Sequence, residues 1–509
     1  MNPADPFEAR TMAQLMRASA AEYGEDRAIV QRQDGKADEA ISFAELDARS
    51  AQLARGLLAR GVGKGTRVGF IFGNGPEFAL WFAAIARIGA VAIPISTMIR
   101  ANELVRVLRQ SDVGALIVQR EFLGKDYAQR LCDALPALET GESADLRLPE
   151  TPFLRWIACS GEGLPLTMLQ TDEIAADAEH VDEALLREVE AEVHPTDQMV
   201  EIYTSGSMAL PKGVRHNHGP VLFRTHYIRK MTGLERGQET NAILPMFWVG
   251  GMMMYLMPGL SAGAAVICGE RLLSDSQIAM GSVLSEDDLE KLSAQPKPWW
   301  GLGMSETLGP YSYGDEFRAK GYPVCAPMDH FADGYEIRIA DENNEPVADG
   351  EIGEMQVRGY PLAPALHKIE RSEHYTPDGF YHTGDMCLIE GERVHFVGRG
   401  GDMIKTAGSN VSPAEVEMEM QALDGVHNAY VVGLPDGERG QLVVAAVVPR
   451  EGASLDFASI EREMRARLSS YKVPREYIEL QREDVPMLHS NKVARREIER
   501  IAAERLGRA

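Results

Sequence analysis

The sequence predicts an α/β protein. It has a large N-terminal domain of doubly wound sheets plus a small antiparallel β unit, followed by a small mobile α+β C-terminal domain. Three observations carry that expectation. Between residues 40 and 120, short apolar runs alternate with helical periodicity, the pattern of parallel strands buried on both faces. Between 330 and 398 the apolar runs become short and alternate with polar residues, as in antiparallel strands. After Arg399, Gly400 and Gly401 separate that unit from a segment with its own helix and strand patterns. Paired glycines suit a hinge because they permit large backbone changes. The expected domains are therefore 1–399 and 400–509.

Each element has a local reason. "SFAELDARSAQLARGLLARG" spaces its apolar residues as a helix, with Ser42 as the cap. "RVGFIF" reads as a strand, and "PEFALWFAAIARIG" as a helix stopped by Gly89. "AVAIPI" and "ALIVQ" read as further strands. Residues 134 to 195 are irregular and acidic and read as a surface excursion that returns with "MVEIYTSGS". "GYEIRIAD", "EIGEMQVRG" and "ERVHFVGRG" are the strands of the antiparallel unit, with "ENNEPVADG" as a turn. In the last segment, "PAEVEMEMQAL" and "ASIEREMRARL" read as helices, and "AYVVGL" and "LVVAAVVP" as strands. The chain shows no internal repeat and no low-complexity segment.

Composition narrows the function. A chain of 509 residues with 45% hydrophobic and 25% charged residues is globular. Its net charge of −24 disfavours a nucleic-acid partner, which needs clustered Lys and Arg, and suits the cytoplasm. An acidic protein with an anionic substrate must concentrate its cations at the site. The five cysteines form no C-x-x-C pair, which points to a reducing compartment rather than a disulfide framework or thiolate zinc site. The N-terminus has no signal-peptide pattern, and no apolar run reaches the ~18 residues of a membrane span. His216 and His218 in "RHNH" have no further ligand cluster in view, so a metal site there is disfavoured.

"YTSGSMALPKGV", Tyr203 to Val214, has the chemistry of a phosphate-holding loop. Thr204, Ser205 and Ser207 carry hydroxyl donors, Gly206 lets a ligand approach the backbone, and Lys212 adds a positive charge. The spacing is not that of a Walker loop, and taken alone the stretch could be a polar turn. Other stretches follow in order: "GLGMSET" with Ser305 and Glu306, "YHTGD" ending in Asp385, "VGRGGDMIKTAGSN" with Arg399, Lys405 and Gly408, and "NKVARREI" with Lys492.

Together these stretches resemble the adenylate-forming superfamily of acyl-CoA synthetases, peptide-synthetase adenylation domains and beetle luciferases, nearest to the AMP-forming acyl-CoA synthetases. The resemblance runs over almost the whole chain. It implies that a carboxylate attacks the α-phosphate of ATP while the loop closes over the β- and γ-phosphates. An acyl-adenylate and pyrophosphate result, and the acyl group then passes to CoA. It implies a catalytic set of Lys492, Glu306 and Lys405, with Glu306 as the Mg2+ ligand and Lys492 as the lysine of the adenylation step. Ser305 would lie near the α-phosphate, Asp385 would accept from the ribose hydroxyls, and Arg399 would bind the nucleotide. Gly401 falls at the pivot of a rotating C-terminal domain. Rotation would withdraw Lys492 and present Lys405 and Gly408, where pantetheine passes the backbone. "SSYKVP" resembles the C-terminal domains of acyl-CoA synthetases, and no carrier domain follows it. The implied small-molecule partners are a carboxylic acid, ATP and CoA. No nucleic acid or membrane span is implied, and a homodimer is admitted.

The stretch "LPMFWVGGMMMYLM" lies beside the acyl pocket in that family. Phe247, Trp248 and Gly303 are the expected pocket residues. Trp248 follows Phe247 where amino-acid-activating members place an aspartate, so amino-acid substrates are disfavoured. Met252, Met253, Met254 and Met257 suit a hydrophobic acyl group or a buried helix. Four positions depart from the pattern: Met208 and Ala209 in the loop, Trp248 where many members have histidine, and Leu302 where an aromatic often stacks on adenine. The stretch between Trp248 and Ser305 is also shorter than usual, and Trp299 or Trp300 could stack on the base instead. A catalytically impaired nucleotide- or acyl-binding paralogue and an acyl-AMP ligase loading a carrier protein remain the rival expectations.

Overall fold

The computed structural model describes residues 6, 8–32, 37–204, 212–269, 301–313, 316–317, 324–327, 332–391, 393–399, 404–407, 409–411, 413–486, 493 and 495–508. Helices and sheets alternate first, a β unit follows, and an α+β unit closes the chain.

The expected parallel sheet is eight strands wide. In spatial order it runs Ala365–Leu366, Lys212–Asn217, Gln198–Thr204, Val91–Pro94, Arg67–Ile71, Ala115–Val118, Trp156–Cys159 and Met168–Gln170. From Gln198–Thr204 to Met168–Gln170 all neighbours are parallel. A second sheet of four strands carries Arg27–Arg32 parallel to Ala265–Gly269. The helix Pro76–Arg87 packs against strands of both sheets and buries eleven of its twelve residues. A helix that is apolar all round belongs in a core. Its one charged buried end, Arg87, is satisfied by Glu190 Oε1 at 2.6 Å, Asp47 Oδ1 at 2.9 Å and Ser50 Oγ at 2.8 Å. The helix Phe43–Ala59 starts at Ser42 with a full capping box, in which Ser42 and Glu45 exchange hydrogen bonds.

One expectation is corrected. Residues 134 to 195 are not only a surface excursion, because Trp156–Cys159 and Met168–Gln170 extend the main sheet. Strands of four and three residues are too short to show a periodicity, and the acidic helix Glu183–Ala191 dominates the composition of the segment.

The antiparallel unit is a six-stranded sheet that includes Tyr335–Ala340, Ile352–Gly359, Tyr381–Glu390 and Arg393–Arg399. The next sheet begins at Ile404 and is built round the long hairpin Val426–Asp436 and Gly440–Pro449. The helices Pro413–Gln421 and Phe457–Arg467 cover one side of it, and Arg495–Arg505 packs on the other. Among the described residues no helix is long and apolar enough to cross a membrane.

Candidate active site

Ligands of open parallel sheets bind beyond the carboxyl ends of the strands, and four of the candidates, Thr204, Phe247, Trp248 and Ser305, lie there. Val91–Pro94 and Gln198–Thr204 are parallel neighbours. Their ends, Pro94 to Ser96 and Ile202 to Thr204, line a cavity of about 220 Å³. Phe247, Trp248 and Ser305 complete that side. The opposite wall comes from the C-terminal unit, through Ser409, Glu415, Ser469, Tyr471 and Lys472.

The aromatic wall is held by its neighbours. Phe247 is buried and meets Trp248 edge to face, with ring centres 5.7 Å apart. Asn74 fixes the approach to this pair. Its side chain accepts from the Met246 N–H at 2.8 Å and donates to the Leu244 carbonyl at 2.9 Å. Gly251 is required just beyond, because a Cβ there would lie 2.0 Å from the Pro245 carbonyl oxygen. Of the four methionines, Met252, Met253 and Met257 are wholly buried in the main core, and Met254 packs against it. They support the wall from behind and do not line the cavity.

Thr204 and Lys212 are cross-strand partners at the end of a hairpin. Beneath them lies a buried polar group. Glu201 is fully buried, pairs with Arg67, and accepts from the Tyr203 hydroxyl at 2.7 Å and Gln198 Nε2 at 3.1 Å. Burial and the Glu201 carboxylate raise the Tyr203 hydroxyl well above its usual pKa, so Tyr203 remains a donor.

Ser305 and Glu306 occupy the short 3-10 turn Ser305–Thr307. His216 Nε2 lies 2.7 Å from the Ser305 carbonyl, which ties the turn to the hairpin. Glu306 is 9% exposed, and the Tyr381 hydroxyl donates to its Oε1 at 2.8 Å. Asp385 is 4% exposed, accepts from the Tyr311 hydroxyl at 3.3 Å, and is paired in the strand register with Arg399. Neither Asp385 nor Glu306 lines the cavity.

Gly303 and Lys405 also stand apart from the cavity. Gly303 lies in the strand Gly301–Met304, where a Cβ would come within 2.5 Å of the Gly309 carbonyl oxygen. It serves the tight hairpin Gly301–Met304/Gly309–Tyr313 and does not line the cavity. Lys405 is exposed on Ile404–Thr406, while its near neighbour Ser409 reaches the cavity. Ser205, Gly206, Ser207, Gly401, Gly408 and Lys492 lie outside the described residues, as do Met208, Ala209, Trp299, Trp300 and most of the shortened stretch. His216 and His218 are fully buried, and no group of three metal-ligating side chains occurs among the described residues.

The wall from the C-terminal unit escaped the sequence reading. Lys472 Nζ sits 3.0 Å from Glu103 Oε1 and 2.9 Å from Glu415 Oε1. Burial alone lowers a lysine, but Tyr471, Glu103 and Glu415 outweigh it and raise Lys472. Burial raises Glu415, against the pull of Lys472. The signal available was "SSYKVP" itself, which holds Ser469, Tyr471 and Lys472.

The family profile described as AMP-binding enzyme matches residues 16–278, and that of the AMP-binding enzyme C-terminal domain matches 415–492. The chain is 28% identical over 513 residues to a feruloyl-CoA synthase of an Amycolatopsis species, covering 91% of this chain and 94% of the relative. It is 27% identical over 509 residues to the indoleacetate–CoA ligase of Aromatoleum aromaticum, with the same coverage of 91% and 94%. Its fold is also that of the o-succinylbenzoate CoA synthetase of Bacillus subtilis in a complex with a product analogue. The TM-score is 0.73 at 21% identity, over 96% of this chain and 98% of that one.

Proposed function

Because this chain belongs to the AMP-binding enzyme family, we propose that it activates a hydrophobic carboxylic acid as its acyl-adenylate and transfers the acyl group to CoA. AMP and pyrophosphate are the other products. The observation that carries the reading is one cavity at the carboxyl ends of parallel strands. It is lined by Thr204 and Ser305, by Phe247 and Trp248, and by residues of the C-terminal unit. A carboxylic acid seated against the aromatic pair would face the hairpin that holds Thr204 and Lys212. The relatives named above act on aryl-substituted acids, and the edge-to-face pair Phe247–Trp248 favours an aromatic acid here.

The remaining assignments belong to this proposal. The domain boundary falls at 399/400. Thr204, Ser205, Gly206, Ser207 and Lys212 hold the triphosphate, Asp385 and Arg399 the nucleoside, and Lys492 the reacting phosphate. Lys405 and Gly408 serve the second half-reaction, with Gly401 as pivot. Glu306 fits Mg2+: the ion takes one or two carboxylates and completes its shell with phosphate oxygens and water, so a lone buried carboxylate suffices. When bound, Mg2+ and the nucleotide supply charge neutralisation at the phosphates. The buried free cysteines Cys132, Cys159, Cys268 and Cys387 support a cytoplasmic setting.

The test is acid-dependent exchange of labelled pyrophosphate into ATP across aliphatic and aromatic acids, with Mg2+ present and CoA absent. Exchange with aromatic acids, followed by thioester formation when CoA is added, is the expected result. No exchange from folded protein that binds ATP would move the function to a non-catalytic binding protein. Exchange without a CoA thioester would make it a ligase for a carrier protein.

A further inference from the structure

The hairpin that carries the phosphate loop closes on the pair Thr204–Lys212. Directly opposed residues of antiparallel strands share a face, and Thr204 lines the cavity. Lys212 therefore shares its face of the sheet with Thr204, at the strand ends where the cavity lies. It is only 9% exposed, so its ammonium needs polar company. Part of that company is His374, whose Nε2 lies 3.3 Å from Lys212 Nζ.

His374 is well placed to act on that ammonium. It follows the 3-10 turn Arg371–Glu373, and its carbonyl accepts from the His382 N–H at 2.9 Å. Its ring centre is 6.2 Å from that of Tyr381, the residue that donates to Glu306. One continuous set of side chains thus runs from Lys212 through His374 and Tyr381 to Glu306. Burial first, and then the Lys212 charge, hold the imidazole below the usual histidine pKa. A neutral ring accepts at one nitrogen, and an ammonium has three donors. His374 thus takes one N–H of the ammonium. Nothing in "RSEHYTPDG" marks the residue as functional in sequence.

We infer that His374 is a positioning residue for Lys212, fixing its ammonium at the exit of the phosphate loop to receive the pyrophosphate end of the nucleotide. A lysine on a flexible stem loses side-chain freedom when it grips a phosphate. A partner that orders it beforehand removes part of that cost. The inference rests on the adenylation reading above.

The test separates pyrophosphate from AMP, which lacks the β- and γ-phosphates. In full-length protein, His374→Ala raises the ATP KM and the pyrophosphate concentration for half-maximal exchange about tenfold. Inhibition by AMP stays within about twofold. His374→Gln, whose amide oxygen can accept from Lys212, recovers most of the loss. With Lys212→Met in place, changing His374 adds no further effect on pyrophosphate. The inference is overturned by an unchanged pyrophosphate response in His374→Ala, by equal losses for AMP and pyrophosphate, or by additive losses with Lys212→Met. If the alanine variant does not fold, the glutamine variant and the Lys212→Met pair still decide. A wild-type protein without exchange overturns the adenylation reading itself. Exchange in wild type with an unaltered His374→Ala variant overturns the His374 assignment alone.

Discussion

A carboxylate that is 9% exposed needs its oxygens oriented as well as satisfied, and Glu306 receives both from Tyr381. Groups that hold a metal-binding carboxylate from behind commonly change metal affinity by about ten- to a hundredfold when removed. Tyr381→Phe keeps the ring that stands 5.1 Å from Tyr375 and deletes only the hydroxyl. The Mg2+ concentration for half-maximal pyrophosphate exchange is expected to rise about tenfold or more, with the KM for the acid little changed. An unaltered Mg2+ dependence would show that the Tyr381 hydroxyl does not hold Glu306 for the proposed metal. Glu306 was legible from "GLGMSET", but its partner was not. Tyr381 lies 75 residues downstream, and the contact is made by tertiary packing that no local pattern announces.

At the scale of elements, the helix Ala101–Gln110 and the C-terminal unit meet across the cavity through charges. Lys472 bridges Glu103 and Glu415, Ser469 Oγ donates to Glu103 Oε2 at 2.9 Å, and Arg106 pairs with Glu419. Lys472 is 8% exposed, Glu103 6% and Glu415 5%, so water does little to screen the group. Removing the central cation leaves two buried carboxylates facing each other, at a cost of about 3–5 kcal/mol for a broken buried pair. Lys472→Met is therefore expected to lower the melting temperature. It should also depress CoA thioester formation more than pyrophosphate exchange, because the wall from the C-terminal unit is what loosens. Equal depression of the two half-reactions would mean that the seam serves stability alone. Such a seam cannot be read from sequence, since Lys472 and Glu103 stand 369 residues apart. Elements whose cause is local were readable. Ser42 announces the helix Phe43–Ala59, and short apolar runs such as Val91–Pro94 announce buried parallel strands. Trp156–Cys159 is an apolar run of the same kind, overlooked within an irregular stretch, whereas the three residues Met168–Gln170 carry too little pattern and owe their strand to their neighbour in the sheet.

For the whole molecule, the net charge of −24 and two buried histidines pull stability in opposite directions as pH falls. Protonating surface carboxylates relieves repulsion among like charges, but ~0.15 M salt screens that repulsion beyond about 8 Å. His216 and His218 are not screened, because both are fully buried. Burial pushes His216 from 6.5 to about 4, against its bond to the Ser305 carbonyl, and His218 to about 3, against the charge of Asp197. Both hold separate parts of the chain together: His216 meets Ser305, and His218 Nδ1 accepts from the Met12 N–H at 3.2 Å. With folded-state values below the unfolded value, the unfolded chain binds more protons once pH drops below about 6.5. Stability is therefore full above that pH, declines as pH falls toward about 4 and then about 3, and loses nothing further from these two groups below. Each pH unit of depression corresponds to about 1.4 kcal/mol, so the pair together withdraws several kcal/mol. Most carboxylates titrate below about pH 5, so the interval from about 6.5 to 5 isolates the histidines. The urea midpoint measured there at ~0.15 M salt is expected to fall, and the fall should shrink in His216→Gln and again in the double variant with His218→Gln. A midpoint whose pH response through this interval is the same in the wild type and in both variants would show that neither histidine is held neutral by the fold.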